Sequence, residues 1–216
     1  MKYVVVLPSI HKGYTEDCLQ TCNLDNILVV DNTKHNLGVA ASWNVGVRHA
    51  LRNNLDYLVI LSAAMRFGPL GGQDFVEAMT KNESEVAVEP DEGIGWHFIA
   101  LRTDLFRMVG FFDFNYYPAY FEETDFAYRI QLAYGWQTKR PLWPKCHIDA
   151  KVESIAHGMR LGGVNVHMGQ QSARYAKKWG GAPGFETFTT PFNLPIQGPK
   201  PWRFFEGEDV INRWMR

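Results

Sequence analysis

Short, unbroken apolar runs punctuate the first ninety positions. Tyr3–Leu7, Asn26–Val30, Leu58–Leu61 and Val86–Val88 are valine- and leucine-rich and bounded by turn residues, the signature of strands buried on both faces. Between them the apolar spacing changes to three and four. Thr15 can cap a helix running to about Cys22. Val39, Trp43, Val47, Ala50 and Leu51 keep a helical period from Gly38 onward, and Gly71-Gly72 precede a helix through about Thr80. The order β-α-β-α-β-α-β predicts an α/β fold with a parallel sheet covered by helices on both faces.

The second half is less regular. Trp96–Leu101 reads as a strand, and Thr103 caps a short helix that stops at Gly110. Glu122, Glu123 and Asp125 then open a helix whose apolar face carries Phe126 and Ile130 and which ends at Gly135. Strands are expected around Gln137–Lys139 and at Val152–Ala156 leading into His157. A helix over Val166–Trp179 is closed by Gly180-Gly181. Beyond it glycine and proline are too dense for regular structure, so residues 181–216 are expected to form an irregular arm, with a short helix over Glu208–Arg216, packed on a single domain of residues 1–180. Phe185, Phe188 and Phe192 of that arm are expected to be buried.

In open α/β sheets ligands bind beyond the carboxyl ends of the strands. That rule puts Pro8-Ser9, Asp31-Asn32 and the Ser62–Arg66 stretch on one rim. The acid cluster admits two readings. Carboxylates are favoured at a helix N-terminus by the helix dipole alone; or one of them points into a pocket walled by the preceding aromatics and acts as a general base.

Composition narrows the possibilities. Among 216 residues the formal net charge is −1, so no global field recruits nucleic acid. Three cysteines, an odd count, and the lack of a long apolar stretch suggest a reduced, cytoplasmic protein without a membrane span. Cys18, Cys22 and the Cys146-His147 pair do not have the spacing of common zinc modules. Lys177 and Lys178 read as a solvated helix face, and Arg129 as the partner of an acid on its own helix. Aromatic residues make up 14% of the chain, which suits a sugar-like ligand as well as a core.

The co-linear order of several short elements resembles the nucleotide-sugar-dependent glycosyltransferases of GT-A fold, in particular their large inverting family. The elements are Leu7-Pro8-Ser9, Val30-Asp31-Asn32, the block Asn36, Gly38, Asn44 and Gly46, then Gly110-Phe111-Phe112-Asp113, Tyr120 to Arg129, Gly135-Trp136 and His157-Gly158. Lys178-Trp179-Gly180 is a weaker match. The resemblance implies a Rossmann-like, mostly parallel sheet with a smaller mixed sheet on the acceptor side. It implies that Asp31, with Pro8 and Ser9, contacts the donor nucleotide, and that Asn36, Gly38 and Asn44 shape its site. Glu122 and Glu123 would sit at the acceptor, with Glu123 as the base and Asp125 as the alternative. The acceptor would be a hydroxyl of a glycan, a protein or another molecule, attacked with inversion at the anomeric carbon.

One element departs from the family. Its acidic Asp-x-Asp motif, which holds a divalent Mn or Mg ion on the diphosphate, is replaced by Ser62-Ala63-Ala64-Met65-Arg66. Either the reaction runs without metal, with Arg66 or one of Arg160, Arg174, Lys177 and Lys178 facing the diphosphate, or the chain is a non-catalytic nucleotide-sugar or glycan-binding module. His157 matches a family metal ligand but lacks a partner in sequence. Transfer to a modified DNA base is a third reading, suggested by the cations of residues 160–178.

Overall fold

The computed structural model describes residues 1–82, 87–90, 94–135 and 145–194. Strand β1 (Tyr3–Ser9) lies at the middle of the first half, paired in parallel with β2 (Ile27–Asp31) on one side and β3 (Tyr57–Leu61) on the other. The remaining strands of the sheet are β5 (Ala87–Pro90), β6 (Phe98–Arg102) and β7 (Lys145–Cys146), and the order is β2-β1-β3-β6-β5-β7. β6 is antiparallel to both β3 and β5, so among the described residues five strands run one way and one runs against them. The fourth apolar run is therefore not β3's neighbour: Trp96–Leu101 supplies the intervening strand, which starts at Phe98 after a 3-10 turn over Gly95–His97. A small second sheet pairs β4 (Met65–Phe67) with β8 (Ala150–Val152), antiparallel.

Strand side chains alternate between faces, and two cores follow. Val4, Val6, Leu58, Ile60, Ile99 and Leu101 point to one face. There they meet α2 (Val39–Arg52), α4 (Thr103–Val109) and α5 (Glu122–Tyr134) through Trp43, Val47, Phe106 and Phe126. Val5, Leu7, Val59, Leu61, Phe98 and Ala100 point to the other face, against Cys18 and Cys22 of α1 (Lys12–Cys22) and Phe75 and Met79 of α3 (Gln73–Lys81). The expected layered α/β architecture is thus present, with helices on both faces. A third cluster joins Tyr116 to Tyr175 and Trp179 of α7 (Met168–Trp179).

Local chemistry differs from expectation at a few points. His11 caps α1, its Nδ1 accepting from the Tyr14 amide at 3.2 Å; Thr15 is buried inside the helix, where its hydroxyl donates to Ser9 Oγ at 2.7 Å. His157 sits in a helix, α6 (Ile155–Leu161), and only Ala150–Val152 of that region is strand. Phe185 is 74% and Phe192 46% exposed, so these arm residues are not buried as expected. Lys178 is 3% exposed, so it is no part of a solvated face. The expected strand at Gln137–Lys139, the helix at Glu208–Arg216 and the arm beyond Leu194 lie outside the described residues. Among the described residues no helix is long and apolar enough to cross a membrane.

Candidate active site

A cavity of about 680 Å³ opens at the carboxyl rim of the parallel strands. β1 delivers Pro8 and Ile10 to it, β2 leads to Asn32, β3 to Ser62, Ala63 and Ala64, and β5 contributes Glu89. Trp96 and His97 enter from the antiparallel strand's amino end, where Leu61 is registered opposite Phe98. Facing this rim are Pro118, Ala119, Tyr120, Glu122 and Glu123, and α6 closes one side with Gly158 and Met159.

The amino end of α2 locks this frame. Asn32 is buried; its Nδ2 donates to Ser42 Oγ at 2.8 Å and its Oδ1 accepts from the Leu37 amide at 3.1 Å. Asn36 Oδ1 accepts from the Gly38 amide, and the Val39 amide donates to the Pro118 carbonyl, both at 2.8 Å. Gly38 has φ +80°, and a Cβ there would come within 2.9 Å of the Tyr117 ring; only glycine combines that backbone with that approach. The segment leading to the acids is itself constrained. The Tyr117–Pro118 bond is cis, and Tyr120 and Phe121 both have φ +75°, a conformation that side chains other than glycine adopt only when surrounding contacts impose it.

The two glutamates differ. Glu122 is 3% exposed and its Oε2 is buried without a hydrogen-bond partner among the described residues. Burial first, then the charge of Glu123, push its carboxyl well above the ordinary range. Glu123 is less buried; burial raises it too, against hydrogen bonds from its own amide and from Thr124 that lower it. Asp125 points away from the cavity. It is 0% exposed, its Oδ2 accepting from Arg129 Nε at 2.9 Å and its Oδ1 from Trp179 Nε1 at 2.8 Å and Lys178 Nζ at 2.6 Å. Arg129 thus pairs with an acid of its own helix. Lys178 also reaches Asp113 at 2.9 Å. Burial works to raise Asp113, but Lys178 and hydrogen bonds from Lys178 and Asn115 outweigh it and hold the carboxyl at about 2.

Other expected site residues are spread around the cavity. Pro8, Asn36, Gly38, Ser62, Ala63, Glu122 and Glu123 line it. Ser9 is buried beneath it, bonded by Thr15. Asn44 is buried in a joint between α2 and the acid-bearing half, exchanging hydrogen bonds with the Phe112 amide and carbonyl at 3.0 and 2.8 Å. Asp31 is exposed and turned back on Thr33, whose hydroxyl and amide donate to it at 2.6 and 2.8 Å and lower its carboxyl. Arg66 stands behind the wall. Its guanidinium lies 4.7 Å over the Tyr14 ring, donates to the Ala63 and Met65 carbonyls, and faces Asp17 and Glu153 at 3.6 and 3.7 Å. His157 is exposed, its ring edge-on to Tyr14 and absent from the lining.

Trp43, Trp96, Glu89 and His97 line the cavity without having been anticipated as site residues. The two tryptophans are stacked at 6.4 Å. Burial lowers His97, favouring the neutral imidazole. Glu89 follows from the rim rule, since it stands at the carboxyl end of a strand. Trp43 carried no separate signal, because its helical spacing was already explained by core packing.

The residues present do not fit a divalent ion at the family's position. Ser62, Ala63 and Ala64 offer one hydroxyl where hard cations take carboxylate oxygens. Among the described residues no three His, Cys, Asp or Glu side chains are grouped to hold a metal, the cysteines and His157 included.

No family model matches the chain, and no curated protein matches it by sequence. Among solved structures, it is similar to the mannosyltransferase PcManGT from Pyrobaculum calidifontis in complex with GDP-Man and Mn2+, at 14% identity and a TM-score of 0.49 over 86% of this chain and 67% of that one. It is also similar to S. aureus TarS residues 1–349, at 11% identity and a TM-score of 0.46 over 80% of this chain and 68% of that one. The complex of the same TarS fragment with UDP gives 10% identity and a TM-score of 0.46 over 80% and 69%.

Proposed function

We propose that the chain is a glycosyltransferase that moves a sugar from a nucleoside diphosphate sugar to a hydroxyl acceptor with inversion. One observation carries this reading: a single cavity joins the strand-end residues Pro8, Asn32 and Ser62 to the paired acids Glu122 and Glu123. In this reading the donor lies along the rim, its base against Pro8 and Asn32 and its sugar toward the glutamates. Glu123 takes the proton from the acceptor hydroxyl. The freed oxygen forms a bond to the anomeric carbon from the face opposite the leaving group, and the bond from that carbon to the diphosphate breaks, releasing the nucleoside diphosphate. Glu122, held neutral, keeps its proton and donates it in a hydrogen bond to a sugar hydroxyl, which supplies the partner its buried oxygen lacks. Arg66 stands behind Ala63 and Tyr14, where Asp17 and Glu153 offset part of the positive charge it contributes.

Replacing Glu123 by Gln tests this directly. Transfer is expected to fall by two orders of magnitude or more, in line with a general base worth about 10²–10⁴, while nucleotide binding persists. Full transfer by the variant would remove Glu123 from the mechanism. The replacement of the acidic motif by Ser62-Ala63-Ala64 favours a second reading, a binding module of the same architecture. Donor hydrolysis in metal-free buffer separates the two, because a pure binder leaves the donor intact.

A further inference from the structure

We propose that the cleft between α7 and the Asn115–Tyr117 loop is a distal subsite for an acidic oligosaccharide, the acceptor of the reaction proposed above, and the inference rests on that reading. The cleft has a volume of about 480 Å³ and is lined by Asn115, Tyr117, Gln170, Arg174, Lys177 and Phe192, among others, a size within the usual range of ligand clefts, about 300–1,000 Å³. Gln170, Arg174 and Lys177 follow one another at spacings of four and three, so they form a single stripe along α7. All three are exposed. Arg174 and Lys177 have no ion pair among the described residues, whereas the adjoining Lys178 turns inward to Asp113 and Asp125.

No Asp or Glu lines this cleft among the described residues, and no Lys or Arg lines the first cavity, which carries Glu89, Glu122 and Glu123. The first cavity is therefore lined by acidic side chains and the cleft by basic ones. The two sites share a wall. Tyr117 faces the cleft and Pro118, Ala119 and Tyr120 face the cavity. The wall is pinned from both sides, by Gln171 Nε2 donating to the Tyr117 carbonyl at 2.5 Å and by the Val39 amide donating to the Pro118 carbonyl. A chain with one hydroxyl at Glu123 reaches the cleft by crossing this short segment.

The side chains specify what fits. Tyr117, 53% exposed, and Phe192, 46% exposed, present ring surface to solvent, suited to the apolar face of a pyranose. Gln170 and Asn115 offer amide donors and acceptors for hydroxyls, and Arg174 offers the planar fork that binds a carboxylate through two hydrogen bonds. Two cations are few for nucleic acid, whose affinity grows with each phosphate neutralised.

Isothermal titration of the full chain with tetragalacturonate, maltotetraose and a short single-stranded DNA tests the assignment. Tetragalacturonate is expected to bind, and more tightly than maltotetraose. An Arg174→Ala/Lys177→Ala double variant is expected to weaken it at least tenfold, and Tyr117→Ala at least threefold. These side chains are exposed, so the variants are expected to melt close to the parent, and Lys177→Glu gives a second charge variant. Unchanged binding by the double variant, no effect of Tyr117→Ala, equal binding of maltotetraose, or tighter binding of the DNA would each overturn the proposal. The glycosyltransferase reading has its own readout: if it fails, the unsubstituted protein neither transfers nor hydrolyses a nucleoside diphosphate sugar, whatever the cleft binds.

Discussion

Glu122 carries a free-energy cost visible in the position of one oxygen. Its Oε2 is buried without a partner among the described residues, and burial followed by the Glu123 charge raises its carboxyl well above the ordinary range. An acid whose folded-state pKa lies above its unfolded value binds more protons when folded. Its contribution to stability is full below the unfolded value, about 4.3, and is lost as pH rises through the folded value. Glu122→Gln removes this loss. The variant's melting temperature is expected to gain on the parent's between pH 5 and pH 8, with about 1.4 kcal/mol at stake for each pKa unit traversed. Parallel melting curves across that range would show that Glu122 ionises as freely when folded as when unfolded. Asn44 and Gly46, on the same helix α2, show the opposite economy. The resemblance places Asn44 at a nucleotide, but it serves two backbone groups of Phe112. A Cβ on Gly46 would stand 2.7 Å from Val6 Cβ, so that glycine is there for packing between α2 and the sheet.

At the scale of elements, the first turn of α5 is aimed by charges on α7. Lys178 ties Asp125 at 2.6 Å to Asp113 at 2.9 Å, while Arg129 and Trp179 take the remaining positions on Asp125. Replacing Lys178 by Met leaves two buried carboxylates short of a cation, which costs about 3–5 kcal/mol when a buried pair loses one member. Urea unfolding at pH 7 is expected to show a loss of that size; a change under about 1 kcal/mol would mean that Arg129 alone suffices. The acid side gives an independent check. Asp113 is held at about 2, below its unfolded value, so it adds stability above about 4 that is lost as pH falls toward 2. That acid-side loss is expected to shrink in Lys178→Met. Of this, only the pairing of Arg129 with an acid of its own helix was legible from local pattern. Lys177-Lys178 looks like any solvated pair, and only the rotation of α7 against α5 decides which lysine turns inward. What local pattern did reveal were elements with strong periods: β1, β2, α2, β3, α5 with its stop at Gly135, and the end of α7 at Gly180. The antiparallel insertion of β6 between β3 and β5 escaped it because pairing order is set by contacts between distant residues, and the strand expected over Val152–Ala156 was misplaced because a three-residue strand and a seven-residue helix carry little periodicity. Of the site, rim positions such as Pro8 and Ser62 followed from strand ends, whereas Asp31 and Asn32 stood next to each other with only tertiary packing to choose the one that faces the cavity.

For the whole molecule, the arrangement of charge follows from where the sheet ends. The cavity at the carboxyl rim combines stacked indoles, three glutamates and the Ser62-Ala63-Ala64 turn, and Arg66, behind that turn, is held by wall carbonyls. In the proposed reading a diphosphate bound there gains little from a divalent ion, because the turn after β3 has no carboxylate to share it. Binding should then depend on the rim itself: ring contacts, the amides of Asn32 and Asn36, and the field of Arg66. UDP or GDP at a hundredfold excess over its Kd stabilises a native-state binder by about 2.7 kcal/mol, which corresponds to roughly 5–10 °C in Tm for a domain of this size. The rise is expected to be the same in EDTA as in Mn2+. A rise seen only with Mn2+ would place ion ligands at the rim that Ser62, Ala63 and Ala64 cannot supply, and would point to Glu89, Glu122 or Glu123 as metal carboxylates.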